Sequence, residues 1–230
     1  MKPRTLAFVL ATTLLTSGGP VTAASPTILP AADRYLAARE AELDQIPADR
    51  RKALARVAEF VKKRRAAGEP ARLLFICTHN SRRSHMAELW ARTAAARHGV
   101  AGVQTFSGGT EATAFNPRAV AALERAGLEI EPTTTGDNPR YAVRYAEDAP
   151  PAMAYSKVYD ANGNPTADFA AIMTCSQADE SCPFVRGAAS RIAIPYEDPK
   201  GSDGTAREAR AYDERSAQIA REMTYIFSRL

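Results

Sequence analysis

The residues with the most chemical potential form one run, Cys77-Thr78-His79-Asn80-Ser81-Arg82-Arg83-Ser84. A cysteine followed six residues later by an arginine is weak evidence by itself in a chain rich in arginine; the placement is what informs. The run starts where Leu73-Leu74-Phe75-Ile76 ends, a continuous apolar stretch of the kind that forms a strand buried on both faces. It finishes where Ser84 to His98 takes up helical periodicity. A tight loop in that position turns consecutive amide N–H groups inward and adds the partial positive charge of a helix start, which suits a tetrahedral oxyanion. Arg83 can fold back as a two-pronged clamp on two oxygens. The same field favours the thiolate form of Cys77 and makes it a nucleophile. Ser84 can donate to that thiolate, and Asn80 can brace the loop through its side-chain amide. Thr78, His79, Asn80, Ser81, Arg82 and Arg83 are thus expected around the anion.

If Cys77 attacks the central atom, the departing oxygen needs a proton from a general acid. Glu197-Asp198-Pro199 follows the last expected strand, on the same rim as the loop, and the proline restrains Asp198 to an extended conformation. The remaining cysteines are Cys175 and Cys182. Three is an odd number, so at least one thiol stays free within the chain. Cys175-x6-Cys182 lacks zinc-knuckle spacing and His79, His85 and His98 lie elsewhere, so no metal site is expected. The six intervening residues make a short loop that a disulfide closes easily where the backbone geometry permits. His85 and His98 are expected on the helix after the loop without catalytic duty, with Met86, Leu89 and Trp90 as core.

The elements that must hold these groups alternate. After the first strand and its helix come a strand over Val103 to Phe106, a turn at Gly108-Gly109, and a helix opened by Asn116-Pro117 and stopped at Gly127. Strands at Phe169 to Thr174 and Arg191 to Ile194 and a closing helix over Thr205 to Phe227 complete the pattern. It predicts an α/β fold: a doubly wound, four-stranded parallel sheet with helices on both faces and its ligand at the carboxyl ends of the strands. Residues 132–168 interrupt the alternation with prolines, glycines and tyrosines and read as an irregular or hairpin-like insertion into a domain spanning 71–230.

The chain has 230 residues, 45% hydrophobic and 24% charged, enough for one core and incompatible with a disordered chain, a collagen-like repeat or a multi-span membrane protein. A net charge of +4 does not demand nucleic acid, and no nucleic-acid partner is expected. Residues 25–70 read as a helical extension, with stretches at Ala31 to Ile46 and Asp49 to Ala67. The second is basic and amphipathic, and its stripe of Leu54, Val57, Phe60 and Val61 is expected to pack on its own domain. Residues 1–24 read as a cleavable signal peptide: a basic start at Lys2 and Arg4, an apolar run from Leu6 to Leu15, and a small-residue site at Val21-Thr22-Ala23. That implies an exported, periplasmic protein that meets the membrane only through this segment.

Several ordered motifs together resemble the low-molecular-weight protein tyrosine phosphatase superfamily, and within it the thioredoxin-coupled arsenate reductases. Cys77, Asn80, Arg83 and Ser84 match the family loop, Met86-Ala87-Glu88 continues it, Phe106-Ser107-Gly108-Gly109 and Asn116-Pro117 match the second strand and helix, and Asp198-Pro199 matches the acid. Cys175 to Cys182 is similar to the reductase redox segment. The resemblance implies catalytic roles for Cys77, Arg83, Ser84, Asp198, Cys175 and Cys182, with a thiol–arsenate adduct on Cys77 and a disulfide cascade through Cys175 and then Cys182. It implies no bound cofactor, an external dithiol such as a thioredoxin-like protein, and arsenate or a phosphate ester as substrate. Two alternatives stand beside arsenate reduction: phosphomonoester hydrolysis through a Cys77 phosphocysteine, and an exported oxyanion-binding protein without turnover.

Overall fold

The computed structural model describes residues 25–182 and 184–230. The expected signal peptide, 1–24, lies outside them. Among the described residues no helix is long and apolar enough to cross a membrane.

Among the described residues six α-helices and seven strands follow one another: α1 (Pro30–Glu40), α2 (Ala48–Ala66), β1 (Ala71–Cys77), α3 (Arg83–Arg97), β2 (Val103–Gly109), α4 (Pro117–Arg125), β3 (Glu129–Pro132), β4 (Tyr141–Arg144), β5 (Ala152–Ala154), β6 (Phe169–Met173), α5 (Ser176–Ser181), β7 (Ala188–Ala193) and α6 (Glu208–Phe227). Strands β2, β1, β6 and β7 form, in that order, a parallel four-stranded sheet. Its strands end on one rim, so residues about a hundred positions apart in sequence meet there.

The alternation of β1 explains its central place. Leu73 and Phe75 enter the larger core with Met86, Trp90, Ile219 and Met223, while Leu74 and Ile76 enter a smaller one with Phe169, Met173, Cys175 and Val185. Helices flank both faces, but unequally. One face carries α2, α3 and α6, whereas the other is covered by the six-residue α5 and the stretch around Tyr159 and Val185. Trp90 is fully buried, stacked on Tyr35 at 5.1 Å, and its indole N–H donates to Ser216 Oγ at 2.9 Å. That arrangement ties α1, α3 and α6 together.

Helix α2 packs its apolar stripe on its own domain, with Leu54, Val57 and Val61 fully buried. Within residues 129–154 three short strands, β3-β4-β5, form a separate antiparallel sheet whose first strand begins three residues before 132, so the inserted segment is hairpin-like in part and irregular elsewhere. Gly108 and Gly109 do not turn the chain. They are the last residues of β2, registered beside Ile76 and Cys77, and they are glycines because of crowding. A Cβ on Gly109 would sit 2.2 Å from the Glu111 carbonyl oxygen and 2.7 Å from the Asn80 nitrogen; one on Gly108 would sit 2.4 Å from the Tyr159 Cα.

Candidate active site

The loop from Cys77 to Arg82 leaves β1 and enters α3 with its carbonyls facing outward. The Cys77 carbonyl accepts from Thr110 N–H at 3.1 Å, Thr78 from Glu111 N–H at 2.9 Å, and Ser81 from Asn116 N–H at 2.9 Å. The His79 carbonyl accepts from the Ser156 hydroxyl at 2.9 Å and the Thr113 hydroxyl at 3.2 Å. With these carbonyls tied to neighbours and the N–H groups of residues 78–82 donating to no other described backbone group, the loop amides are available to an oxyanion.

Asn80 is fully buried at φ 43°, a left-handed conformation that asparagine tolerates better than most side chains. Its Nδ2 donates to Ser84 Oγ at 2.9 Å, and its Oδ1 accepts from the Lys157 N–H at 2.9 Å. An amide nitrogen only donates, so the Ser84 hydroxyl keeps its own hydrogen for Cys77 Sγ, 3.1 Å away. Asn80 thus fixes the direction of the bond that stabilises a thiolate.

Arg83 is oriented before any anion arrives. One terminal nitrogen donates to the Tyr196 carbonyl at 3.1 Å, the other meets Asp198 Oδ2 at 2.8 Å, and its buried Nε has no partner in the protein. Asp198 caps the turn over Pro199–Ser202, accepting from Lys200 N–H at 3.1 Å, so proline and cap together hold the carboxyl beside the loop. The side chain of Arg82 is directed differently. Its Nε donates to the Tyr212 hydroxyl at 2.9 Å, and that hydroxyl donates to Asp203 at 2.9 Å. Burial, then the bond to Asp203, push the Tyr212 hydroxyl up to about 12, so it stays protonated in both roles. The half-buried His79 ring lies 4.0 Å from Glu111. Of the six residues expected around the anion, Arg83 turns its side chain to the site and Asn80 braces it. Arg82 is committed to α6, and Ser81 is buried in the loop wall.

Cys175 belongs to the same rim. Buried two residues past β6, its sulfur lies 3.5 Å from Thr78 Oγ1, the residue next to the nucleophile. Thr78 gives its proton to Gln177 Oε1 at 3.2 Å, so its oxygen is free to accept from the thiol. Cys182 is half-buried, and none of the three cysteines is joined in a disulfide. The residues between 175 and 182 are helix α5, not an open loop: Cys175 is its N-cap and Cys182 its C-cap. Seven residues at helical rise place the two cysteines about 10 Å apart along the axis, beyond the reach of a disulfide. The easy closure expected from the spacing therefore requires α5 to unwind.

Sequence reasoning missed Lys157, Tyr196 and Tyr212. Lys157 lies in the inserted segment; besides its bond to Asn80, its carbonyl accepts from Gly109 N–H at 2.9 Å. No local pattern marks it, because its role is to meet a loop 77 residues away. His85 lies on α3 without reaching the site, stacked on Phe115 at 4.1 Å. Burial, then the charge of Lys157, lower it to about 3, so it is neutral at physiological pH. Among the described residues no cluster of three or more His, Cys, Asp or Glu is arranged to hold a metal ion.

A cysteine at the end of a central parallel strand, an oxyanion loop, a clamping arginine and an acid on the same rim define the class of cysteine enzymes that act on tetrahedral oxyanions. Residues 72–139 match the family model of low molecular weight phosphotyrosine protein phosphatases. An arsenate reductase of Bacillus licheniformis is 30% identical over 143 residues, 62% of this chain and 84% of its own length. An arsenate reductase of Staphylococcus epidermidis is 30% identical over 56% of this chain and 79% of its own length. A low molecular weight protein tyrosine phosphatase from T. tengcongensis, 17% identical, covers 70% of this chain and 99% of its own with a TM-score of 0.48. The chain belongs to the low molecular weight phosphotyrosine protein phosphatase family, on its arsenate reductase side.

Proposed function

We propose that the protein reduces arsenate. The observation that carries this reading is the second buried thiol: Cys175 Sγ, 3.5 Å from Thr78 Oγ1, adjoins the nucleophile's own loop, and hydrolysis of a phosphate ester has no use for it. In the proposed reaction the Cys77 thiolate attacks As(V) while the loop amides and Arg83 hold the remaining oxygens. One oxygen leaves as water with a proton from Asp198, giving a thiol–arsenate adduct. The Cys175 thiolate then attacks Cys77 Sγ. The S–As bond breaks with its electron pair going to arsenic, so As(V) leaves as As(III) and a Cys77–Cys175 disulfide remains. Cys182 attacks Cys175, freeing Cys77 as thiolate and leaving a Cys175–Cys182 disulfide for an external dithiol to reduce. The helical geometry of α5 requires that last exchange to unwind it.

No bound cofactor enters this scheme; the two electrons come from the thiols and ultimately from a thioredoxin-like dithiol. If the leader is removed and the protein exported to the periplasm, as its composition suggests, that dithiol must be exported too. The test is arsenite release with a dithiol reductant, set beside aryl phosphate hydrolysis. Arsenite formation lost in Cys175→Ser supports the proposal. Hydrolysis unaffected by Cys175→Ser, with no arsenite from the native protein, replaces it by phosphomonoester hydrolysis through Cys77, Arg83 and Asp198. That second reading uses the same clamp and acid, Arg83 and Asp198, 2.8 Å apart, and leaves Cys175 without a part. Anion binding without turnover under any reductant would leave only an oxyanion-binding protein.

A further inference from the structure

Arg50 lies on α2, before the segment that matches the family model, and the oxyanion chemistry gives it no part. Its guanidinium grips the carboxylate of Glu222 on α6, with Nε 3.0 Å from both oxygens and a terminal nitrogen 2.8 Å from Oε2. The same terminal nitrogen donates to the Ile194 carbonyl at 3.2 Å, where the chain leaves β7. The guanidinium also stacks over the Tyr196 ring at 4.6 Å. Tyr196 is buried, and its hydroxyl donates to Glu222 Oε2 at 2.7 Å. Gln218 donates to Oε1 at 3.1 Å, so the carboxylate is fully used. Two residues of the segment that leads to Asp198, Ile194 and Tyr196, are therefore fixed by one arginine of the extension. The Tyr196 carbonyl is itself the 3.1 Å acceptor for Arg83.

We propose that Arg50 is a positioning residue for the anion clamp: through Glu222 and Tyr196 it sets the backbone that aims Arg83 and carries Asp198. The extension thus takes part in the site without touching substrate. The reason is geometric. A planar fork can satisfy two carboxylate oxygens and a carbonyl while lying flat on an aromatic ring, and no other side chain combines these. Without it, the Glu222 carboxylate, 2% exposed, faces the Tyr196 hydroxyl with no cation, and the cheapest relief is to shift the Tyr196 segment. This proposal rests on Arg83 binding an oxyanion, whichever reaction follows.

The test reads the alkylation of Cys77 by iodoacetamide, followed by peptide mapping, with and without inorganic phosphate, so it does not depend on turnover. In Arg50→Met, the phosphate concentration that half-protects Cys77 should rise about tenfold, the scale of one charge-assisted hydrogen bond misaligned. The alkylation rate without phosphate should stay within about twofold, because the Asn80–Ser84–Cys77 chain does not pass through Tyr196. Adding Glu222→Gln should bring protection back to within about threefold of native, because the stranded charge is gone. A merely structural role would lower both readings together, and that result overturns the proposal, as does unchanged protection in Arg50→Met. If Arg50→Met does not fold, Arg50→Lys keeps the charge but not the fork; several-fold weaker protection is then expected, and native protection overturns the proposal. Failure of phosphate to protect the native chain would instead overturn the oxyanion reading of the loop itself.

Discussion

Two segments leave the carboxyl rim of the sheet side by side, and they are built in opposite ways. The Cys77–Arg82 loop is held by Thr110, Glu111, Asn116, Ser156 and Lys157, with Asn80 buried at its centre. Helix α5, which follows β6 and carries Cys175 and Cys182 at its ends, has six residues and buries only Ala178 among them. Its far end is held largely by one side chain from β7. Arg191 Nε donates to the Cys182 carbonyl at 3.0 Å, and its terminal nitrogen meets the Asp179 carboxylate at 2.6 Å. A loop that must present several amides and a thiolate to one anion gains from being fixed beforehand. A segment whose terminal cysteines lie about 10 Å apart, and which the proposed exchange brings within bonding distance, cannot be fixed in that way. Few buried contacts and one latch are what local unwinding needs.

The sharpest way to break this comparison is to remove a sulfur from each segment. Cys77→Ser should lower product formation about a thousandfold or more for arsenate and aryl phosphate alike. Cys175→Ser should abolish arsenite release and leave aryl phosphate hydrolysis near native. If both substrates respond equally to Cys175→Ser, the two segments are one functional unit and the division fails. Next in size is the rigid loop's centre. Asn80→Ala removes the donor to Ser84 and leaves at φ 43° a residue without the polar side chain that lets asparagine tolerate it, and kcat should fall about a hundredfold with the protein still folded. Steady-state kinetics and a thermal melt check it together.

In the less buried segment, Arg191→Met should make Cys175–Cys182 disulfide formation faster, by about tenfold if one net hydrogen bond's worth of helix stability is lost. Timed alkylation with peptide mapping in a glutathione redox buffer reads this directly, and slower oxidation would mean that the ordered helix assists the exchange. The smallest effect concerns acid. His85, beneath the braced loop, has its folded value lowered to about 3 by burial, against an ordinary value of 6.5. The unfolded chain therefore binds the proton first, and the stability linked to neutral His85 is present above 6.5 and lost as pH falls from there towards 3. Between pH 6 and pH 5 the loss should be about 1 kcal/mol, and His85→Gln should remove it from urea titrations.

Most of the site was legible before the fold. Cys77, Asn80, Arg83, Ser84 and Asp198 could be singled out because loop chemistry is local: strand end, amide-rich turn and helix start are contiguous in the chain. The ends of α3 and α4 were likewise readable, down to the Asn116 cap, whose side chain accepts from Arg118 N–H at 3.0 Å. Gly108 and Gly109 were misread, because a glycine pair looks the same as a turn or as a strand end crowded by another backbone. Arg82 was expected around the anion as a residue of the loop, but at a helix start successive side chains point about 100° apart, and this one donates to Tyr212.

The sequence by itself determined the order of the elements and singled out the groups proposed to carry the chemistry, since both depend on residue type and short-range spacing. Only the tertiary structure brought the Cys175 sulfur to 3.5 Å from Thr78 Oγ1 and Asp198 to 2.8 Å from Arg83, because the alternation of elements predicts a shared rim but not which side chains meet across it. It decided that Cys175 and Cys182 bracket a helix, although the mostly polar residues between them, Ser176 to Ser181, are equally compatible with a loop. It decided, too, that Lys157 from the insertion and Arg50 from the extension reach the loop and its clamp. Such contacts arise where distant surfaces must satisfy buried polar groups, and no periodicity in the chain records them.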